Sequence, residues 1–143
     1  MCIRDRGWGG AYGLAARHTE RKGPGTVYTF ALDGKAEAPA FVAYQQGKLL
    51  QGVPYDKDLV AEGTALYVSN CAFCHGVPGV DRGGNLPNLG YLDKTYIEHL
   101  DKFIFKGPAM ARGMPDFTGK LSMDDVEKIK AFIQGTADAV RPK

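Results

Sequence analysis

The sequence predicts an all-α domain over residues ~56–143, preceded by a short β segment and a linker. Three observations lead to this expectation. Apolar residues recur at helical spacing in three stretches of that region. A five-residue motif of cysteines and histidine lies between the first and second of these stretches. Upstream, a β-branched and aromatic run over residues 26–32 ends at the turn signal Asp33-Gly34 and predicts one strand.

The first helix is expected to begin near Asp56 and to run into the motif. Five residues carry its helical spacing: Leu59, Gly63, Leu66, Tyr67 and Asn70. Glycine costs about 1 kcal/mol against alanine inside a helix. We therefore expect a second helix to cross closely at Gly63.

The motif is Cys71-Ala72-Phe73-Cys74-His75, a C-x-x-C-H sequence with the spacing of covalent c-type haem attachment. Each thiol adds across one vinyl group of the haem, and His75 coordinates the iron. Iron bound by histidine and methionine transfers electrons, because methionine raises the reduction potential and a filled sixth site excludes oxygen. The motif therefore predicts electron transfer, with a methionine ligand farther along the chain.

The residues that flank the motif distinguish haem attachment from other interpretations of it. A thioredoxin-type C-x-x-C follows a strand in a βαβ unit, whereas a helical stretch precedes this one. A zinc site needs a second pair of ligands, and the remaining cysteine is Cys2 at the extreme terminus. A chance occurrence is also possible in a globular chain. The flanking sequence favours haem over each of them.

A glycine-rich loop leads from the motif to a middle helix over residues 93–105, with Asp93 as its cap. His99 on this helix is expected at the surface rather than on iron. The residues expected to face inward are Tyr96, Ile97, Leu100 and Ile104.

The last helix is expected to begin at the N-cap Ser122 and to end at Gly135. Two aspartates follow the cap, where the helix dipole favours negative charge. Its apolar face comprises Val126, Ile129, Phe132 and Ile133. Packing of Phe132 over Gly63 would allow the first and last helices to cross.

Composition narrows the class of protein. The chain has 143 residues, with 44% hydrophobic and 24% charged residues, which is typical of a globular protein. The net charge of +2 offers no argument for nucleic acid. No apolar run approaches the length of a transmembrane segment.

The N-terminal part is interpreted as the end of something longer. Residues 1–6 lack the apolar region of a signal peptide and look like an assembly artefact, which would leave Cys2 without a role. Residues 7–35 hold a glycine-dense loop around Trp8, a surface histidine, His18, and the predicted strand. Because one strand is not stable alone, its partners are expected upstream of this chain. Residues 36–55 are expected to form a linker that docks through Phe41, Val42, Tyr44, Leu49 and Leu50.

From residue 56 onward, the sequence resembles class I cytochromes c. The matching residues are Gly63, Tyr67, Cys71, Cys74, His75, Pro87, Leu89, Gly113-Met114-Pro115-Asp116-Phe117 and Phe132. The resemblance implies an all-α cytochrome c fold. It also implies that the Pro87 carbonyl accepts a hydrogen bond from the proximal imidazole, which makes the imidazole a better donor. Met114 takes the place of the distal ligand.

Met110 is the competing ligand, but Met114 alone has a preceding glycine and a following proline. The expected haem-binding set is Cys71, Cys74, His75, Pro87, Leu89, Met114 and Phe117, with His75 and Met114 on the iron. Phe103 and Phe105 are further candidates for the haem wall. Arg82, Arg112 and Tyr91 are candidates for the propionates, or plain surface residues.

The front of the chain resembles the quinohaemoprotein alcohol dehydrogenases, through its Gly-Trp-Gly-Gly loop, its strand and its linker. The resemblance implies that residues 7–35 are the remnant of a truncated β-propeller that carries pyrroloquinoline quinone (PQQ) and calcium. The haem of residues 56–143 would take electrons from that PQQ in the same chain. It would pass them to an external acceptor such as a cytochrome, a cupredoxin or a quinone, in the periplasm.

The present chain is then expected to carry electrons without catalytic residues of its own, within a PQQ-dependent dehydrogenase. Two alternatives remain. The first is a free-standing or oxidase-associated monohaem cytochrome c. Less favoured is a haem enzyme with an open distal site, since Met114 would fill that site.

Overall fold

The computed structural model describes the backbone of residues 2–6 and 26–30, and residues 31–37, 47–80 and 86–142 in full. Its strands are β1 (Cys2–Arg6) and β2 (Thr26–Phe30). Its helices are α1 (Val60–Asn70), α2 (Ala72–His75), α3 (Lys94–Glu98), α4 (Asp101–Ile104) and α5 (Met123–Ala139). Short 3₁₀ turns lie at Lys57–Leu59, Leu89–Tyr91 and Pro108–Arg112. Within the described residues, no helix combines the length and apolar character that a membrane span requires.

The predicted strand forms as β2 and ends two residues earlier than expected. It pairs antiparallel with β1, from Cys2 opposite Phe30 to Arg6 opposite Thr26. The expectation that its partners lie upstream of this chain is wrong for this edge, because residues 2–6 supply the backbone partner. The predicted turn follows, with the amide of Gly34 donating to the carbonyl of Ala31 at 3.0 Å. The interpretation of residues 1–6 as an assembly artefact stays a prediction.

The helical part is built on the crossing of α1 and α5. Gly63 is buried there, and a Cβ atom on it would overlap the backbone carbonyl of Lys128 and lie 3.1 Å from the Cβ of Phe132. The rings of Tyr67 and Phe132 stack at a tilt, with centroids 4.9 Å apart. The predicted close crossing at Gly63 is therefore confirmed, and the α5 backbone itself makes the closest approach.

The start of α5 is as predicted and its end is not. Ser122 accepts from the amide of Asp125 at 3.1 Å, and the Asp125 carboxylate accepts from the amide of Ser122 at 2.9 Å, which makes a capping box. The helix continues past Gly135 to Ala139. A Cβ atom at Gly135 would lie 3.1 Å from Val60 and 3.4 Å from the ring of Tyr55. The absence of a side chain at Gly135 therefore allows close packing of Val60 and Tyr55, and the glycine does not end the helix.

The predicted middle helix is two short helices, α3 and α4, interrupted around His99. Asp93 caps α3 as expected, with its carboxylate accepting from the amide of Thr95 at 2.9 Å. His99 leaves helical backbone geometry at φ −110° and ψ 33°. The predicted inward residues Ile97, Leu100 and Ile104 are buried, whereas Tyr96 is 50% exposed. Apolar spacing alone did not reveal the break, because two consecutive short helices can place apolar residues at the same spacing as one continuous helix.

The end of the predicted linker packs into the helical core. Leu50 and Val53 are 2% and 5% exposed, and Leu49 packs against the same core. The amide of Leu50 donates to the carbonyl of Gly90 at 2.8 Å, and the amide of Val53 donates to the side chain of Gln134 at 3.2 Å. Residues 49–53 therefore belong physically to the helical body. The other predicted docking residues, Phe41, Val42 and Tyr44, lie outside the described residues, as do Trp8 and His18.

Candidate functional site

The motif forms the single helical turn α2, directly after α1. Cys71 interrupts the helix at φ −123°, and its carbonyl accepts from the amide of His75 at 2.9 Å. Cys71 is the cap residue before α2, and Cys74 and His75 lie within α2. Both cysteine side chains are half-buried free thiols. Two thiols and an imidazole therefore lie within one short turn of the chain.

A cavity of about 230 Å³ opens beside this turn, and its walls are overwhelmingly apolar. Six of the seven predicted haem-binding residues line it: Cys71, His75, Pro87, Leu89, Met114 and Phe117. Cys74, the seventh, is adjacent on α2 and is not part of the wall. Residues as far apart in the chain as Cys71 and Ile129 thus line one space.

His75 is oriented by a hydrogen bond from its ring. The Nδ1 atom lies 2.7 Å from the carbonyl oxygen of Pro87, and a carbonyl only accepts, so Nδ1 carries the proton. Nε2 is then the ring nitrogen with a free lone pair. Burial lowers the pKa of His75, and the bond to Pro87 partly opposes this change. The imidazole is therefore neutral near pH 7, as a metal ligand must be.

The Cys71 thiol lacks the character of a thioredoxin-type nucleophile. Burial raises the pKa of Cys71 to about 11, the charge of Cys74 adds to this, and Lys120 acts in the opposite direction. A reactive dithiol requires a lowered pKa instead. The zinc interpretation also lacks support, since the described part of the chain contains no group of three or more histidine, cysteine or acidic side chains suited to a metal ion.

The two candidate methionines differ in position. Met114 is half-buried, packs against the core and lines the cavity. Met110 is 43% exposed and is not part of the cavity wall. Gly113, between them, has a left-handed φ of 91°, which ends the 3₁₀ turn and redirects the chain before Met114. The geometry brings Met114, and not Met110, to the same cavity as His75.

The loop after Met114 is held by its own hydrogen bonds. The carboxylate of Asp116 accepts from the amides of Thr118 and Lys106 at 2.9 and 3.2 Å. The amide of Phe117 donates to the carbonyl of Ile104 at 3.0 Å. These contacts fasten the methionine loop to α4 and place the ring of Phe117 in the cavity wall.

The remaining sequence candidates divide between the cavity and its surroundings. Phe103 and Arg112 line the cavity, whereas Phe105 packs against the core beside it. The hydroxyl of Tyr91 donates to the carbonyl of Gly79 at 2.7 Å, which gives this residue a loop-fastening contact away from the cavity. His99 is exposed and is not in the wall, as expected. Arg82 lies outside the described residues.

Sequence reasoning missed the buried polar residue of this region, Asn88, which is 3% exposed. An asparagine in a glycine-rich loop normally indicates an exposed turn. The one available signal was its position directly after Pro87. Leu92, Leu121 and Ala109 also line the cavity without having been singled out.

The residues present suit a haem. The faces of a haem fit apolar walls, its vinyl groups react with thiols, and its iron binds a neutral imidazole and, in electron-transfer sites, a thioether sulfur. His75, Met114 and the Cys71 thiol line the cavity, and the Cys74 thiol is adjacent to it, so each of these chemical groups is present. A helical domain with this site defines the class of cytochrome c domains.

Comparison with known proteins gives the family. A family model described as "Cytochrome C oxidase, cbb3-type, subunit III" matches residues 58–133, more than half of the chain. The chain belongs to this family of cytochrome c domains, and such a domain transfers electrons through covalently bound haem c.

Longer proteins contain closely similar sequences. The chain is 74% identical over 137 residues to a quinohemoprotein alcohol dehydrogenase of Comamonas testosteroni, covering 96% of this chain and 19% of that protein. It is 69% identical over 137 residues to a 1-butanol dehydrogenase (cytochrome c) of Thauera butanivorans, covering 96% of this chain and 20% of that protein. The crystal structure of the Comamonas enzyme superposes with a TM-score of 0.83 at 70% identity, covering 98% of this chain and 20% of that one. The chain spans about a fifth of the length of these relatives.

Proposed function

We propose that this chain is the haem-bearing electron-transfer domain of a PQQ-dependent quinohaemoprotein alcohol dehydrogenase. It would accept electrons from PQQ and pass them to an external acceptor. The observation that carries the proposal is the apolar cavity in which Cys71, His75 and Met114 meet. The proposed iron ligands are His75 through Nε2 and Met114 through its sulfur.

A haem bound there supplies reversible one-electron exchange at its iron. Cys71 and Cys74 would tether it, each by addition of its S–H across one vinyl group, which needs no oxidant or reductant. The Pro87 carbonyl holds the His75 ring in one tautomer and strengthens its donation. The walls contributed by Leu89 and Phe117 exclude water and small ligands. His75 and Met114 would hold the iron from fixed positions of the fold, which would keep rearrangement on electron transfer small.

The donor is proposed to be part of the same protein. Identity of 74% and 69% to proteins named as dehydrogenases, with a fifth of their length covered, supports a larger parent. In that parent, residues 7–35 would end a β-propeller that holds PQQ and calcium, residues 36–55 would be the linker, and residues 56–143 the cytochrome domain. Residues 1–6 would be extraneous. The linker would make transfer intramolecular at high effective concentration.

The proposed localisation is the periplasm, because haem attachment of this type resembles that of bacterial cytochromes matured outside the cytoplasm. The acceptor would be a cytochrome, a cupredoxin or a quinone. No catalytic residue is assigned to this chain, since the oxidation of alcohol would take place at PQQ in the parent.

Two preparations test the proposal. The haem-loaded chain alone should be oxidised and reduced by one electron, and should oxidise no alcohol. The chain extended by its upstream sequence, given PQQ and calcium, should reduce its own haem when a primary alcohol is added, at a rate independent of protein concentration. Rapid peroxidase turnover by the chain alone would instead favour a haem enzyme with an open distal site.

A second candidate is an oxidase-associated monohaem cytochrome, which the description of the matching family favours. The same kinetic experiment separates the two. Reduction of the haem only by a separate donor, at a rate proportional to the donor concentration, would support the oxidase-associated or free-standing cytochrome.

A further inference from the structure

Two loops meet behind the proximal histidine. The first, residues 76–80, follows His75 directly, and the second, residues 86–90, carries Pro87. They pack so closely that a Cβ atom on Gly90 would overlap the amide of Gly79 and lie 2.6 Å from the carbonyl carbon of Pro78. The hydrogen bond from the His75 ring to the Pro87 carbonyl joins the residue just before the first loop to the second loop.

The side chain of Asn88 joins these loops. Its Oδ1 accepts from the amides of Gly79 and Gly90 at 3.0 and 2.8 Å, and its Nδ2 donates to the carbonyl of Val77 at 2.8 Å. A buried amide with these partners fixes the groups around it, because each broken bond would leave a desolvated polar atom. Asn88 directly follows Pro87 in the chain, so anchoring its side chain also anchors the Pro87 carbonyl.

We propose that Asn88 is a positioning residue that holds the Pro87 carbonyl on the ring N–H of His75 and thereby sets the reduction potential of the domain. The inference rests on the proposed function, since it takes His75 as an iron ligand. An acceptor on the ring N–H makes the imidazole a stronger donor, which favours ferric iron and lowers the potential. Removal of the hydrogen bonds of the Asn88 side chain should therefore raise the reduction potential.

A purely structural role for Asn88 predicts loss of stability without a specific effect on the haem. The chain offers a control in Gln134, which is 1% exposed and also hydrogen-bonded through its side chain. Its side chain accepts from the amide of Val53 at 3.2 Å and donates to the carboxylate of Asp138 at 2.8 Å. These partners belong to the linker and to α5, and not to the loops that flank His75.

The experiment compares haem-loaded wild type, Asn88→Ala, Asn88→Ser and Gln134→Ala. A serine retains a hydroxyl that reaches the amide two residues on, at Gly90, but it is too short for Val77 and Gly79. Asn88→Ser therefore keeps the local turn if the alanine variant does not fold. Potentiometric titration gives the reduction potential, and NMR gives the exchange rate of the His75 Nδ1 proton.

Both Asn88 variants should raise the potential and accelerate exchange of the ring proton by about tenfold, as local opening becomes easier. Gln134→Ala should lose stability while its potential and its exchange rate stay at the wild-type values. An unchanged or lowered potential in folded Asn88→Ser overturns the inference, and so does an equal rise in Gln134→Ala. A wild-type protein without covalent haem or without methionine ligation would overturn the proposed function itself, and the inference with it.

Discussion

The Nδ1 atom of His75 and the carbonyl oxygen of Pro87 lie 2.7 Å apart, across a separation of 12 residues. This contact joins the turn of the C-x-x-C-H motif to the loop that leads into α3. It leaves Nε2 as the ring nitrogen available to iron. The orientation of the His75 ring thus depends on a backbone carbonyl outside the motif as well as on the motif itself.

Replacing Met114 tests the assignment of the distal ligand. Met114→Ala should remove the methionine–iron charge-transfer band, lower the reduction potential and allow carbon monoxide to bind ferrous haem, because the sixth position is emptied. Met110→Ala is the matched control, since Met110 is 43% exposed and is not in the cavity wall. Its spectrum should match that of the wild type. If the two variants exchange these behaviours, Met110 is the ligand.

The crossing of α1 and α5 can be tested at Gly63. Gly63→Leu should destabilise the fold by roughly 1–3 kcal/mol, because the added side chain meets the α5 backbone at Lys128. Ala65→Leu adds a leucine to an exposed position of the same helix and should leave stability nearly unchanged. Thermal unfolding followed by circular dichroism measures both. Equal melting temperatures for the two variants would contradict the crossing.

The sequence was informative where a local pattern determines the outcome. The cap at Ser122, the cap at Asp93 and the close approach at Gly63 each follow from one residue type in one local setting. The cavity residues could be named because the motif has a specific spacing and because the residues that follow it resemble those of class I cytochromes c. These features depend little on the rest of the chain.

The sequence was less informative where contacts with residues far away in the chain determine the role of a residue. Gly135 suggested a helix end, but contact with Tyr55 and Val60 explains the glycine, and that contact joins segments far apart in the chain. The apolar character of Leu50 predicted docking, but no local pattern reveals that it packs in the core beside Gly90 and α5. The burial of Asn88 likewise depends on contacts with another loop, which the local sequence does not show.

The capping box predicts a pH dependence of stability. Hydrogen bonds from the Ser122 backbone and then its side chain lower the pKa of Asp125 below its usual value. The carboxylate is thus favoured when ionised, so its contribution is fully present above the unfolded pKa of about 4 and is lost as the pH falls through the folded pKa. Asp125→Asn should unfold at a lower temperature than wild type at pH 7, and the gap should narrow in acid.

The control for this prediction is Asp33→Asn, an exposed carboxylate in the turn after β2. It should follow the wild-type stability at every pH. A gap between Asp125→Asn and wild type that stays constant from pH 7 to strong acid would show that the box does not act through the ionised carboxylate.

Truncation tests whether residues 49–53 belong to the helical body. A chain that begins at residue 47 should keep the full stability of the helical part in urea, as it retains Leu50 and Val53. A chain that begins at residue 56 should lose several kcal/mol, since full burial of each such side chain contributes about 1.5–3 kcal/mol. Equal urea midpoints for the two chains would show that the linker only lies against the surface.

Covalent attachment of haem to Cys71 and Cys74 is the central claim, and acid–organic extraction of the denatured protein measures it directly. The haem absorbance should stay with the polypeptide, and mass spectrometry should find it on the peptide that contains residues 71–75. Single Cys71→Ala and Cys74→Ala variants should each keep one thioether and attach haem less completely. Haem that passes entirely into the organic phase from the wild-type protein would contradict the account.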